Sequence, residues 1–223
     1  YYFTRVANTT REYFIDIYPI KGLIISGPGP TKEEFVNQNY LEYRLQNMII
    51  GTIDASYSGS EGIREAFTKS VDILSDFRMV EEKQIVEKLF KQINSHSGLG
   101  VYGLADIIAY LKNNVADMII ITNNIELCRI EIKCNRCSHI DDKIVEQPAL
   151  IKTKTGFQNS SCPSCKSKDI TISDQDIVDY LALLAAKTGT KIEVISGITE
   201  YGSMLVSLGK IGAILRYNPN YSS

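Results

Sequence analysis

The chain has 223 residues, of which 44% are hydrophobic and 22% charged, a composition that excludes a disordered or low-complexity protein. With 24 basic and 26 acidic residues its formal net charge is −2, so no molecule-wide positive field drives non-specific nucleic-acid binding, and any such contact must be local. There is no apolar run of 18 residues and no basic start with an apolar stretch behind it, which argues against a membrane helix or signal peptide and makes the cytoplasm the expected location.

Residues Tyr1 to Phe14 show a helical pattern that begins without a cap or an initiating methionine, as in a chain cut inside a helix. Lys21 to Ser26 is a short apolar run closed by Gly27-Pro28-Gly29-Pro30, which predicts a strand and a turn. Thr31 with Glu34 has the spacing of a capping box and predicts a helix start. A second strand is expected over Met48 to Ala55. It is followed by the glycine loop SYSGSEG and a helix whose Ile63, Ala66, Phe67, Val71 and Leu74 recur at helical spacing.

Glu81 to Asn94 sets Ile85, Val86, Leu89, Phe90 and Ile93 on one stripe, with Glu81 and Glu82 assigned to the solvated face. A domain boundary is expected between Phe77 and Glu82. Ser95-His96-Ser97-Gly98 is a break. Leu104 to Leu111 predicts a helix, Met118 to Thr122 a buried strand, and Ile125 to Cys134 an alternating strand. Ser138 to Ser161 is polar and aperiodic, an insertion rather than a core element. Ser173 is the expected cap of a helix carrying Ile177, Val178, Leu181, Leu184 and Ala185 and stopped at Thr188-Gly189. Strands are expected at Lys191 to Ser196 and Ile211 to Tyr217. Alternating helices and strands make the chain α/β.

The constellation with the clearest chemistry is Cys134 and Cys137 in CNRC with Cys162 and Cys165 in CPSC, 24 residues separating the pairs. A two-residue gap lets both thiolates of a turn reach one metal, and two such turns complete a tetrahedral Cys₄ site for one structural zinc per chain. Four thiolates leave no position for water or substrate, so the expected role is to hold the fold rather than to catalyse. The fifth cysteine, Cys128, lies in an apolar segment and reads as a small buried side chain. Lys133, Arg136, Lys166 and Lys168 surround the pairs and favour thiolate, with solvated surface as their plainer role. His139 is close enough in sequence to compete as a ligand, although four cysteines make it unnecessary. The stretches GPGP, SGSEG and GKIG lack a nucleotide fingerprint and read as turns. No catalytic triad or carboxylate dyad assembles, and no enzymatic activity is expected.

The stretches KGLIISGPGPTKEEF, YLEYRLQNMIIGTIDASYSGSEGIREAF, EEKQIVEKLF, GLGVYGLADIIAYL and LGKIGAILRY resemble, in this order, the middle and C-terminal domains of archaeal and eukaryotic class-1 peptide chain release factors. The resemblance covers nearly the whole chain, and the cysteine pairs fall where archaeal members carry a small inserted subdomain, implying an archaeal source. It implies a partial, ribonuclease-H-like middle domain over residues 1–78 and a C-terminal domain over 79–223. The latter would be an α/β sandwich like that of ribosomal proteins binding kinked RNA, with a zinc insertion at 131–170. In that family an N-terminal domain reads the stop codon and a GGQ loop promotes peptidyl-tRNA hydrolysis. No GGQ occurs in these residues.

The implied role is therefore the docking part of a translation termination factor. Its implied partners are an elongation-type translational GTPase, the ribosome-recycling ATPase and, through the full-length factor, the rRNA and tRNA-occupied A site of the ribosome, with no membrane partner. The family's GILRY segment maps to Ala213, Ile214, Leu215, Arg216 and Tyr217, with Ala213 in place of glycine. With Gly209 and Gly212 these are the implied GTPase contacts. Ile214 and Leu215 read equally as buried strand, and Arg216 is the stronger candidate for direct contact. A Pelota-like ribosome-rescue factor and a zinc-dependent RNA-binding module are the competing readings.

Overall fold

Two isoleucine-rich strands, β1 (Leu23–Gly27) and β2 (Ile49–Asp54), pair in parallel with Gly27 opposite Asp54. They belong to the first of two units into which the computed structural model divides, within residues 1–81 and from Glu82 onward. The structure describes residues 1–219 apart from Pro19, His96 and Asn159; the expected break at Ser95 to Gly98 thus includes one residue, His96, outside the described set.

In the first unit, helix α1 (Tyr2–Arg11) runs on into a π-helical stretch, Glu12–Ile17, and helices α2 (Thr31–Asn37) and α3 (Tyr43–Gln46) precede β2. Ala7, Phe35, Leu41 and Leu45 form the core, with Leu23, Ile25 and Ile49 packed against them. Lys32 is 6% exposed; its ammonium donates to the Gly29 carbonyl at 2.9 Å and pairs with Glu33 and Asp54, tying the β1–α2 turn to the end of β2.

The capping box at Thr31 does not form. Pro30, with φ −76°, is the N-cap, and the Glu34 amide donates to its carbonyl, so Thr31 is already the first helical residue. The single helix expected after the glycine loop is split at buried Ser70 into α4 (Gly59–Lys69) and α5 (Val71–Asn94), with the Ser70 hydroxyl donating to the Phe67 carbonyl at 2.8 Å. Its apolar stripe is not core: Ile63 and Phe67 are 71% and 69% exposed, and Val71 and Leu74 are exposed as well. Two strands offer these helices little surface, and Ile73 rather than the stripe packs over Gly51 of β2.

The second unit contains a four-stranded sheet in the order β3-β9-β4-β8, formed by β3 (Gly100–Tyr102), β4 (Ala116–Thr122), β8 (Lys191–Ile195) and β9 (Ile211–Leu215). Strand β9 is antiparallel to β3 and β4, and β4 is parallel to β8. Side-chain alternation sorts the two faces. Ile119, Ile121, Ile211, Ala213 and Leu215 face helices α6 (Leu104–Lys112) and α8 (Ile177–Thr188) through Ile107, Leu111 and Leu181. Ile120, Ile195 and Ile214 face Val86 and Leu89 of α5 and Leu205 of α9 (Glu200–Ser207).

Helix α9 lies in a segment for which sequence periodicity predicted nothing; the Thr199 hydroxyl caps it by accepting from the Gly202 amide at 3.1 Å. Helix α8 is capped by Asp176, whose side chain accepts from the Val178 amide at 2.7 Å, and not by Ser173. Ser173 instead pairs with Glu131 inside a strand. At the other end Gly189 takes φ 64°, the left-handed stop expected there.

Between β4 and α8 the chain forms a separate antiparallel sheet, β6-β5-β7, from β5 (Leu127–Cys134), β6 (Ile140–Glu146) and β7 (Ile170–Asp176). Helix α7 (Leu150–Gln158) packs across it. The polar segment Ser138 to Ser161 therefore holds a strand and a helix, β6 and α7. Strand β6 is nearly all exposed at the sheet's edge, which leaves its sequence without an apolar period.

Candidate metal centre

Strand β5 ends at Cys134 and delivers the first cysteine pair into a turn; the second pair forms the turn that leads to β7. The two turns repeat one hydrogen-bond plan. The Ser138 amide donates to the Cys134 carbonyl, and the Lys166 amide to the Cys162 carbonyl, both at 2.9 Å. In the reverse sense the Cys134 amide donates to the His139 carbonyl at 2.9 Å and the Cys162 amide to the Ser167 carbonyl at 2.8 Å. The residue after the second cysteine is left-handed in both, Ser138 at φ 57° and Lys166 at φ 60°.

This geometry brings the four sulfurs within 4.8 Å of one another. Cys134 Sγ lies 3.5 Å from Cys165 Sγ, and Cys137 Sγ lies 3.6 Å from Cys162 Sγ. These close pairs run across the two turns, not within a CxxC. A tetrahedron of Zn–S bonds of about 2.3 Å has edges of about 3.8 Å, so the arrangement fits a Cys₄ metal site. Cys134, Cys137, Cys162 and Cys165 can hold a metal ion; zinc bound there would supply structural cross-linking with no open position.

The amide of Cys137 lowers the Cys134 thiol to about 7. At Cys137 the amide of His139 pulls downward, but the Cys165 thiol, burial and the Cys162 thiol together push it up to about 12. One sulfur is thus prepared as thiolate, and another needs the metal to displace its proton. His139 is exposed and enters through its carbonyl, outside the sulfur group. Cys128 is 4% exposed, its thiol donating to Gln147 Oε1 and raised chiefly by burial, and it lies outside the cluster.

The segment expected to meet a partner divides by exposure. Gly212, Ala213, Ile214 and Leu215 are buried in β9, so in this conformation they hold the sheet. Strand β9 ends at Leu215, short of the expected Tyr217. Gly209, Arg216 and Tyr217 reach the surface. The Arg216 guanidinium donates from Nε to the Ala116 carbonyl at 3.1 Å and from Nη2 to the Thr188 carbonyl at 2.9 Å. It clamps the ends of β4 and α8, with Nη1 making no bond to a neighbour among the described residues.

Glu82 departs from its expected place on a solvated face. It is 4% exposed, and its carboxylate accepts from the Ser196 amide at 3.1 Å and the Thr199 hydroxyl at 3.2 Å, fixing the loop before α9. The spacing carried the signal, since position 82 shares a helical face with Val86, Leu89 and Ile93.

Residues 79–219 match the family model described as eRF1 domain 3, and residues 1–76 match eRF1 domain 2. The chain belongs to the eRF1 family. It is 32% identical over 218 residues to the peptide chain release factor subunit 1 of Methanocaldococcus jannaschii, covering 96% of this chain and 52% of the relative. This eRF1-family chain therefore spans about half the length of the curated relatives it matches. The C-terminal domain of a peptide chain release factor from Methanosarcina mazei superposes with a TM-score of 0.62 at 27% identity, over 74% of this chain and 99% of that one. A model of ribosome-bound archaeal Pelota and ABCE1 shares the fold, with a TM-score of 0.59 at 19% identity over 97% and 48% of the two chains. Among the described residues no helix is long and apolar enough to cross a membrane.

Proposed function

We propose that this chain is the docking half of a class-1 translation termination factor. The observation that carries the reading is the match of both eRF1 domains, in order, within one chain. Residues 1–78 are read as a partial ribonuclease-H-like middle domain. Residues 79–223 are read as a C-terminal domain of the kind found in ribosomal proteins that bind kinked RNA, with a zinc subdomain at 131–170. The proposed partners are an elongation-type translational GTPase, the ribosome and a recycling ATPase of the ABCE1 type, in the cytoplasm of an archaeal cell. Peptidyl-tRNA hydrolysis belongs to the full-length factor, because these residues contain no GGQ.

For the GTPase, exposure favours Gly209, Arg216 and Tyr217 as contacts, with Gly212, Ala213, Ile214 and Leu215 shaping the strand behind them. The four cysteines, gathered in a closed set, support a structural zinc. Calorimetric titration against the GTPase tests the reading, with binding expected and weakened by Tyr217→Ala, while a peptide-release assay stays silent. No detectable binding overturns it. The 32% identity to a release factor subunit favours this reading over a rescue factor.

A further inference from the structure

The two metal-binding turns are rich in basic residues. Residues 133–139 and 160–169 contain Lys133, Arg136, Lys166 and Lys168 and a single acid, Asp169, against a net charge of −2 for the whole chain. Four thiolates and one Zn²⁺ sum to −2, so four cations and Asp169 leave this tip at +1 when loaded. All four basic side chains are exposed. None makes an ion pair or side-chain hydrogen bond among the described residues.

Three nearby acids have partners. Asp169 accepts from Asn135 Nδ2 at 2.7 Å, and Glu131 and Asp142 both hold Arg129, whose guanidinium lies 4.4 Å from the Tyr180 ring centroid. Glu131 and Asp142 are thus committed to Arg129, while Asp169 stays at the tip beside Lys168.

Position adds to charge. Lys133 is the last residue before Cys134, Arg136 lies inside the first turn, Lys166 directly follows Cys165, and Lys168 stands on the return to β7. Because the four sulfurs lie within 4.8 Å, the two turns and their cations form one small, braced surface. Presenting charges from a cross-linked turn avoids much of the ordering cost that flexible lysines incur on binding.

We infer that this tip is a docking surface for the phosphate backbone of structured RNA, contacted by Lys133, Arg136, Lys166 and Lys168 without reading base sequence. Phosphate suits four separated cations, each able to meet one backbone charge. The inference deepens the ribosome-docking reading, and the two fail separately, since the proposed GTPase contacts, Gly209, Arg216 and Tyr217, lie outside these turns.

The test uses the zinc-loaded full chain, a fluorescently labelled RNA hairpin, and anisotropy titrations between about 50 and 200 mM salt. Affinity should fall steeply with salt and be indifferent to hairpin sequence. Changing all four residues to Gln should weaken binding ~10-fold or more and reduce the log–log salt slope by about 3. Lys152→Gln on α7 should leave both unchanged. Zinc content checks that the quadruple variant keeps its turns; if zinc is lost, Arg136→Gln and Lys168→Gln are measured singly, each expected to lower the slope by about 0.8. An unchanged slope, no salt-dependent RNA binding, or tighter binding of polyglutamate than of RNA overturns the inference.

Discussion

Leu89 of α5 occupies the space beside Gly212 of β9: a Cβ built on Gly212 would stand 2.4 Å from Leu89 Cδ2. Helix and strand approach closely here, and Gly212 permits it. Gly212→Ala should force Leu89 off its rotamer and destabilise the second unit by about 1–3 kcal/mol. Urea unfolding checks this, and a double variant with Leu89→Ala should be destabilised by less than the sum of the two single changes.

Metal analysis should return one zinc per chain. Chelation should unfold the β5–β7 sheet locally while the four-stranded sheet persists, because its core of Ile119, Ile120 and Leu181 does not depend on the sulfurs. Hydrogen exchange should show lost protection in β5 to β7 and retained protection in β4 and β9. Cys134→Ser unfolding the whole chain would contradict this.

Zinc affinity should rise with pH through the neutral range. Below about 7 Cys134 gains a proton that the metal must displace, and Cys137, pushed up to about 12, keeps its proton until metal binds. Stability contributed by the loaded site is therefore present at the alkaline end and lost as pH falls. Calorimetry in buffers of different ionisation enthalpy should register proton release on loading, and an affinity that weakens as pH rises would refute the assignment.

Glu82→Ala removes the acceptor for the Ser196 amide and the Thr199 hydroxyl in a buried setting, at an expected loss of about 1–3 kcal/mol. Glu82→Gln keeps an acceptor and should lose less. Faster exchange at Ser196 is the local readout.

Arg216→Gln should cost about 1 kcal/mol by freeing the carbonyls of Ala116 and Thr188. If its effect on GTPase binding exceeds that of Tyr217→Ala, the clamp shapes the contact surface as well as the fold.

Strands β1, β2 and β4 were legible in the sequence because each is a short apolar run bounded by turn residues, a signal that needs no knowledge of neighbours. The cysteine site was legible for a related reason: a CxxC turn brings its two sulfurs together locally, and only the meeting of the two turns is tertiary. Helix caps were read less well. Thr31 and Ser173 have capping chemistry, yet Pro30 and Asp176 hold the positions, because a cap depends on where the backbone leaves its neighbouring element.

Local periodicity by itself determined that the chain is α/β, and cysteine spacing determined that it offers one closed Cys₄ set. Burial was decided only by the tertiary structure. Ile63 and Phe67 have core-like spacing and face solvent, while Glu82 has a surface-like charge and is buried against two donors. Amphipathic spacing says that a helix has a face, but what lies opposite depends on partners distant in the chain. Ala213 to Leu215 lie buried in the strand expected there, and the cations around the cysteines remained outside.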